Sequence, residues 1–163
     1  MFPTDSDMDH SERMAPMSGM AQQLLVLAST VKETQLQAHL IHFNYEGINF
    51  LSVHQFLKEE YDELLEEFDK IGEYVRSMDY MMPMCACGLK DMMHKSFQNV
   101  SSYDGREMLA TYLMNLELVC EIAMKVEETA TELRALDVAH YLAELCGKVN
   151  KAAWMVKATL RCG

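Results

Sequence analysis

Residues 41–75 read IHFNYEGINFLSVHQFLKEEYDELLEEFDKIGEYV, and this stretch decides the fold. Val53, Phe56, Leu57, Tyr61, Leu64, Phe68, Ile71 and Val75 recur at spacings of three and four, the period of one helix face. That pattern predicts a helix over about 50–78. Gly47 and Asn49 separate it from an earlier stripe of Leu24, Leu25, Ala28, Val31, Gln35, Ala38 and His42, which predicts a helix over about 20–46. Four residues stand out against this amphipathic background: His42, His54, Asp69 and Glu73. Two imidazoles and two carboxylates form a mixed nitrogen and oxygen donor set that suits ferrous iron and needs no thiolate. Asp69 and Glu73 are four apart, so a helix points both from one face. On the residues alone, the same four could equally be polar positions at the edge of an ordinary bundle.

Outward from this stretch the chain stays helical. Residues 79–103 contain Pro83 and Gly88 and have room for only a short helix. A connection that long in a compact domain needs a reason, and a four-helix bundle with one long crossover supplies one. Asp104 followed by Glu107 reads as a capping box opening a third helix to about 131, with Leu109, Leu113, Leu116, Cys120 and Met124 inward. A hinge near Glu132 to Ala135 leads to a fourth helix over about 136–160. Residues 1–19 carry two prolines, scattered charge and no apolar period, and read as a flexible arm before a bundle domain over 20–163. The fold class is therefore all-α.

Half of the 163 residues are hydrophobic, ample for one core. No apolar stretch approaches the length that crosses a bilayer, and the acidic N-terminus resembles neither a signal nor a transit peptide, so a soluble cytoplasmic protein is expected. The five cysteines (Cys85, Cys87, Cys120, Cys146 and Cys162) form no paired framework, which fits a reducing compartment. Net charge is −11, from 25 acidic and 14 basic residues. Such a surface repels phosphates and attracts cations. The bundle di-iron proteins use Glu-x-x-His pairs from two helices, and this chain has none. A di-iron site inside its own bundle is therefore not expected.

The segment HLIHFNYEGINFLSVHQFL followed by DELLEEFDKIGEYV resembles the signature of the Dps family, the mini-ferritins (DNA-protection-during-starvation proteins) of the ferritin-like superfamily. His42 and Phe43, then Gly47, Asn49 and Phe50, His54 twelve residues after His42, and Asp69 with Glu73 fall where the family pattern places them. The similarity resumes at NKAAWMV, where Trp154 matches a tryptophan common near the family's C-terminus, and covers roughly residues 20–160. It implies a ferritin-like four-helix bundle whose B–C crossover carries a short helix, assembled as a hollow dodecameric shell. It implies a ferroxidase centre at a two-fold interface, with His42 and His54 from one subunit and Asp69 and Glu73 from its neighbour. The implied chemistry is oxidation of Fe(II) to Fe(III), with hydrogen peroxide preferred over dioxygen. The ferric product would be stored as mineral, protecting against oxidative damage.

Departures from the family pattern leave a second function open: a catalytically weak Dps-like shell for metal sequestration or structural assembly. Lys58 stands four after His54, where the family often has an aspartate that binds iron. An ammonium there repels a cationic metal unless it turns away or pairs with Asp62. Phe43 replaces the usual tryptophan. His39, three before His42, is either an auxiliary ligand or a polar partner for a neighbouring helix. By similarity, Asp137, His140 and Glu144 fall where three-fold pores are lined, or they form a solvated helix face. The crossover gathers Met81, Met82, Met84, Cys85, Cys87, Met92, Met93 and His94, with Met8, His10, Met14 and Met17 in the arm. These are soft donors suited to Cu(I), or else adaptable packing. Family members that bind DNA do so through Lys-rich tails. This arm has only Arg13 against Asp5, Asp7, Asp9 and Glu12, so direct DNA binding is disfavoured.

Overall fold

The computed structural model describes residues 10–161, with side chains from residue 19 onward. Four long helices and one short one follow in order: α1 (His10–Asn44), α2 (Phe50–Ser77), α3 (Ala86–Lys90), α4 (Gly105–Glu132) and α5 (Leu136–Arg161). The helix boundaries expected from periodicity agree for α2, α4 and α5. Helix α1 begins at His10 rather than near 20, so residues 10–19 of the expected arm continue that helix. Residues 1–9 lie outside the described residues, as do the side chains of Met8, His10, Met14 and Met17.

Two helical hairpins, α1 with α2 and α4 with α5, pack into a four-helix bundle joined chiefly along α1 and α4. The first hairpin turns over five residues. Gly47 takes a φ of 153°, which a side chain would strain. Tyr45 folds inward from the same turn, and its ring occupies the space that a Cβ at Gly105 would need. The second hairpin turns through Leu133 to Ala135, with Arg134 in the left-handed region.

The apolar stripes meet along the bundle axis. Leu24, Leu27, Ala28, Val31 and Ile41 of α1 face Leu57, Leu64 and Ile71 of α2 and Leu116, Val119 and Ala123 of α4, all buried. One inward assignment is corrected: Met124 is exposed, because the buried face of α4 runs through Met108, Tyr112, Leu116, Val119, Ala123 and Val126. The capping box is half made. The Asp104 carboxylate accepts from Glu107 N–H at 3.0 Å, while the Asp104 N–H donates to Ser102 Oγ.

The crossover is strapped down by buried polar groups. Ser29 Oγ donates to Leu89 O at 2.6 Å. Asn115 Nδ2 donates to Gln37 Oε1 and to Gln98 O, while Asn115 Oδ1 accepts Gln98 N–H at 2.9 Å. These bonds satisfy a segment that has little regular structure of its own.

Two glutamates of α2 lie in the core, which periodicity did not reveal. Glu67 receives Lys148, Lys70 and the Tyr141 hydroxyl. Burial alone would raise its pKa, but those three donors outweigh it and hold the carboxyl low. Among the described residues Glu60 has only the Tyr112 hydroxyl, at 2.9 Å. Burial wins there and pushes its pKa up to about 7.

A carboxyl with a raised native pKa keeps its full stabilising effect below its unfolded value near 4.5 and loses it as pH rises through about 7. Glu60→Gln keeps an acceptor for Tyr112 and abolishes the ionisation. Its unfolding free energy should match wild type near pH 4.5 and exceed it by on the order of 2–3 kcal/mol at pH 8. Urea titrations at both pH values check this; a difference independent of pH would contradict it.

Candidate metal centre

The last carbonyls of a helix have no partner within it. At the end of α1 two of the last four are taken up locally: Ile41 O by Tyr45 N–H, and His42 O by the His54 imidazole. His54 Nδ1 lies 2.8 Å from His42 O, and His42 Nδ1 lies 2.8 Å from His54 O. The two rings stack at 3.6 Å between centroids, 17° from parallel. The five-residue turn brings the start of α2 beside the end of α1 and so makes this exchange possible.

The exchange has a chemical consequence. A carbonyl only accepts, so each Nδ1 must carry the proton. In the neutral imidazoles each Nε2 is then an unprotonated donor. This is the arrangement in which outer hydrogen bonds orient histidine for a metal. Both rings are fixed by these bonds, and neither Nε2 has a hydrogen-bond partner among the described residues. His42 is buried and His54 half-buried.

His39 is placed differently. Its ring stacks on Tyr61 at 3.9 Å and on Phe43 at 4.9 Å, with its centroid 6.1 Å from that of His42. It adjoins the pair without joining it.

Asp69 and Glu73 do not meet these histidines within the chain. Fifteen residues of helix separate His54 from Asp69, a rise of about 22 Å. Among the described residues, no group of three or more histidine, cysteine or acidic side chains could hold a metal ion. Asp69 and Glu73 are exposed and make no hydrogen bond or ion pair among the described residues. They share one stripe of α2 with His54, Lys58, Asp62 and Leu65, since these positions recur at three and four. The stripe therefore carries imidazole at one end and paired carboxylates at the other.

Lys58 lies between them. Its ammonium pairs with Asp62 at 2.6 Å and sits 5.0 Å from the Tyr61 ring centroid. The hydrogen bond to Asp62 raises its pKa, so it stays charged. The charge is bent one turn along the helix, away from His54.

Part of the surface at this stripe is apolar. Leu36, Leu40 and Phe43 of α1 and Leu65 of α2 are each 44 to 66% exposed. Asp137, His140 and Glu144 sit elsewhere, on the exposed face at the start of α5. His140 Nε2 lies 3.3 Å from Glu144 Oε1, and burial together with the charges of Asp137 and Glu144 raises the pKa of Tyr74.

Residues 28–162 match the ferritin-like domain family. The chain belongs to that family. Its curated relative antigen TpF1 of Treponema pallidum is 22% identical over 151 residues, covering 89% of this chain and 82% of that protein. The crystal structure of TpF1 superposes with a TM-score of 0.84 at 19% identity, covering 98% of this chain and 100% of that one. Dps from Thermosynechococcus elongatus gives 0.87 at 17% identity, covering 93% and 96%. A Dps protein of Vibrio cholerae O1, described as a member of a broad superfamily of ferritin-like diiron-carboxylate proteins, gives 0.83 at 18%, covering 90% and 92%. The fold is thus that of the Dps proteins, the ferritin-like four-helix bundle with a helix-bearing crossover. No helix among the described residues is long and apolar enough to cross a membrane.

The reciprocal histidine pair makes a testable structural claim. His54→Asn keeps an N–H donor near the Nδ1 position and should unfold within about 1 kcal/mol of wild type. His54→Leu leaves His42 O unpaired at the helix end and should cost about 1–3 kcal/mol. Thermal or urea unfolding compares the two; equal stabilities would show that the carbonyl bond does not hold the turn.

Proposed function

We propose that this chain is the subunit of an iron-oxidising, iron-storing mini-ferritin whose oxidation centre is completed by a second copy. The observation that carries the proposal is the His42–His54 pair, locked by backbone carbonyls with both Nε2 atoms free. Imidazole nitrogens hold ferrous iron, and carboxylates favour the harder ferric product. Asp69 and Glu73 are the exposed carboxylates on the same stripe.

One chain cannot gather the four, but two can. A two-fold interface puts the same surface against itself. If two α2 helices pack antiparallel about an axis near Asp62 and Leu65, the histidine end of each stripe faces the carboxylate end of the other. Leu36, Leu40, Phe43 and Leu65 then become the apolar seal around two equivalent centres. Burying them removes an exposed patch of a kind that marks association surfaces. A closed assembly of twelve chains, as the family resemblance implies, would follow from further contacts of this kind.

Iron is the substrate and cargo. Two Fe(II) ions give up the two electrons that, with two protons, reduce one hydrogen peroxide to two waters; dioxygen is the alternative oxidant. His42 and His54 orient the ferrous ion. Asp69 and Glu73 stabilise the added positive charge as it becomes ferric. His39 stands close enough to the pair to be an auxiliary ligand. Asp137, His140 and Glu144, repeated around a three-fold axis, would form an acidic entry. The protein would act in the cytoplasm, without direct contact to DNA, because its net charge is −11.

Lys58 supports one narrower reading, a shell that holds iron but turns it over slowly. Its ammonium occupies the stripe where a second cation would bind, and it is a fixed charge that repels one.

Stopped-flow iron oxidation with peroxide tests the proposal. His54→Ala and Asp69→Ala should each slow oxidation at least tenfold and weaken Fe(II) binding, while sedimentation still shows the intact assembly. Wild-type rates in both would sink the assignment. Lys58→Asp should raise the number of Fe(II) ions bound per chain in anaerobic calorimetry. Unchanged stoichiometry would show that the ammonium does not limit the centre.

A further inference from the structure

The soft donors of the crossover separate into two groups. Met82 and Met93 pack against the core, and Met82 Cε lies 3.6 Å from where a Cβ of Gly72 would stand. His94 Nδ1 accepts the Ser96 N–H at 3.1 Å. Met81 and Met84 are 75% and 99% exposed. Of the two readings the sequence left open for these donors, Cu(I) binding or adaptable packing, Met82 and Met93 take the packing role. What the crossover does assemble is a pair of thiols. Cys85 Sγ and Cys87 Sγ lie 2.8 Å apart, and both side chains are exposed.

The two sulfurs are not equivalent. Cys85 has extended backbone and caps α3, and its sulfur accepts the Gly88 N–H at 3.3 Å. The second thiol and that amide both favour its thiolate, and its pKa is lowered by the Cys87 hydrogen bond first and the Gly88 amide second. Cys146 contrasts with it: burial pushes its thiol up to about 12, and it donates only to Cys120 O.

We propose that Cys85 and Cys87 form a hydroperoxide-reducing dithiol, separate from the iron centre and needing no metal. The Cys85 thiolate attacks one peroxide oxygen, the O–O bond breaks, and with one proton the leaving oxygen departs as water. This gives a sulfenic acid on Cys85. The Cys87 sulfur then attacks that sulfur, its proton leaves with the hydroxyl as a second water, and a Cys85–Cys87 disulfide forms. Overall, the dithiol loses two electrons and one peroxide becomes two waters. A small-molecule thiol restores the pair by exchange, which is easy because a ring closed across one intervening residue is a strained, exposed disulfide of the labile kind.

The test uses the assembled, iron-free protein with a chelator present, so its outcome is independent of iron oxidation. After one equivalent of hydrogen peroxide at pH 7, mass spectrometry should show the peptide carrying both cysteines lighter by two hydrogens, with Cys120 and Cys146 still alkylatable. Cys87→Ser should stop at a sulfenic acid on Cys85 that a dimedone probe captures. Cys85→Ser should slow thiol oxidation about tenfold or more, because Cys87 has no backbone donor of its own. Three results would each overturn the proposal. One is persistence of both free thiols in excess peroxide. Another is a disulfide joining two chains instead of these two residues. The third is a tight one-to-one Cu(I) complex in a pair that peroxide does not oxidise.

Discussion

Two imidazole-to-carbonyl hydrogen bonds organise the candidate centre. His54 donates to the end of α1, and His42 donates back to the start of α2. One effect is structural: a carbonyl that α1 leaves without a helical partner is satisfied, and the first hairpin is pinned at its turn. The other is chemical. Fixing the proton on each Nδ1 leaves each Nε2 as the unprotonated ring nitrogen. Hairpin stability and the proposed metal-binding geometry thus rest on the same pair of bonds.

A second constraint is length. On a straight helix, His54 and Asp69 stand about 22 Å apart, so no folding of one chain closes the donor set. The proposed centre then depends on assembly. The stripe of α2 is suited to that because its two ends are chemically different and its middle is partly apolar. A site built this way is absent from the isolated subunit and arises only when the interface forms. The bundle interior takes a different course. Its two buried α2 glutamates face Tyr112 in one case and Tyr141 with Lys148 in the other, a polar network within the core.

Most of the fold could be read from the sequence. The 3.6-residue period located α2, α4 and α5, and the Gly47 and Asn49 break located the first turn. The long interval between helices anticipated the crossover and its short helix. The N-terminal limit of α1 was missed because residues 10–19 carry no apolar period to mark a helix. Met124 was placed inward because it extended an i, i+4 series, whereas the buried face of α4 follows a neighbouring row. Glu60 and Glu67 were invisible because a glutamate reads as solvated until its tertiary partners are known. The histidines and carboxylates were legible as a donor set. The carbonyl exchange that fixes their tautomers was not, since it depends on how two helix ends meet. Lys58 read as a conflict that pairing with Asp62 could relieve, and the structure makes that pair.

The decisive measurement is a crystal of the assembled protein soaked in ferrous salt without oxygen and measured at the iron absorption edge. An anomalous peak should lie between the Nε2 atoms of His42 and His54 in one subunit and the Asp69 and Glu73 carboxylates contributed by a neighbouring copy. If iron sits anywhere else, or the histidines of every subunit lie far from all neighbouring copies of those carboxylates, the shared centre does not exist.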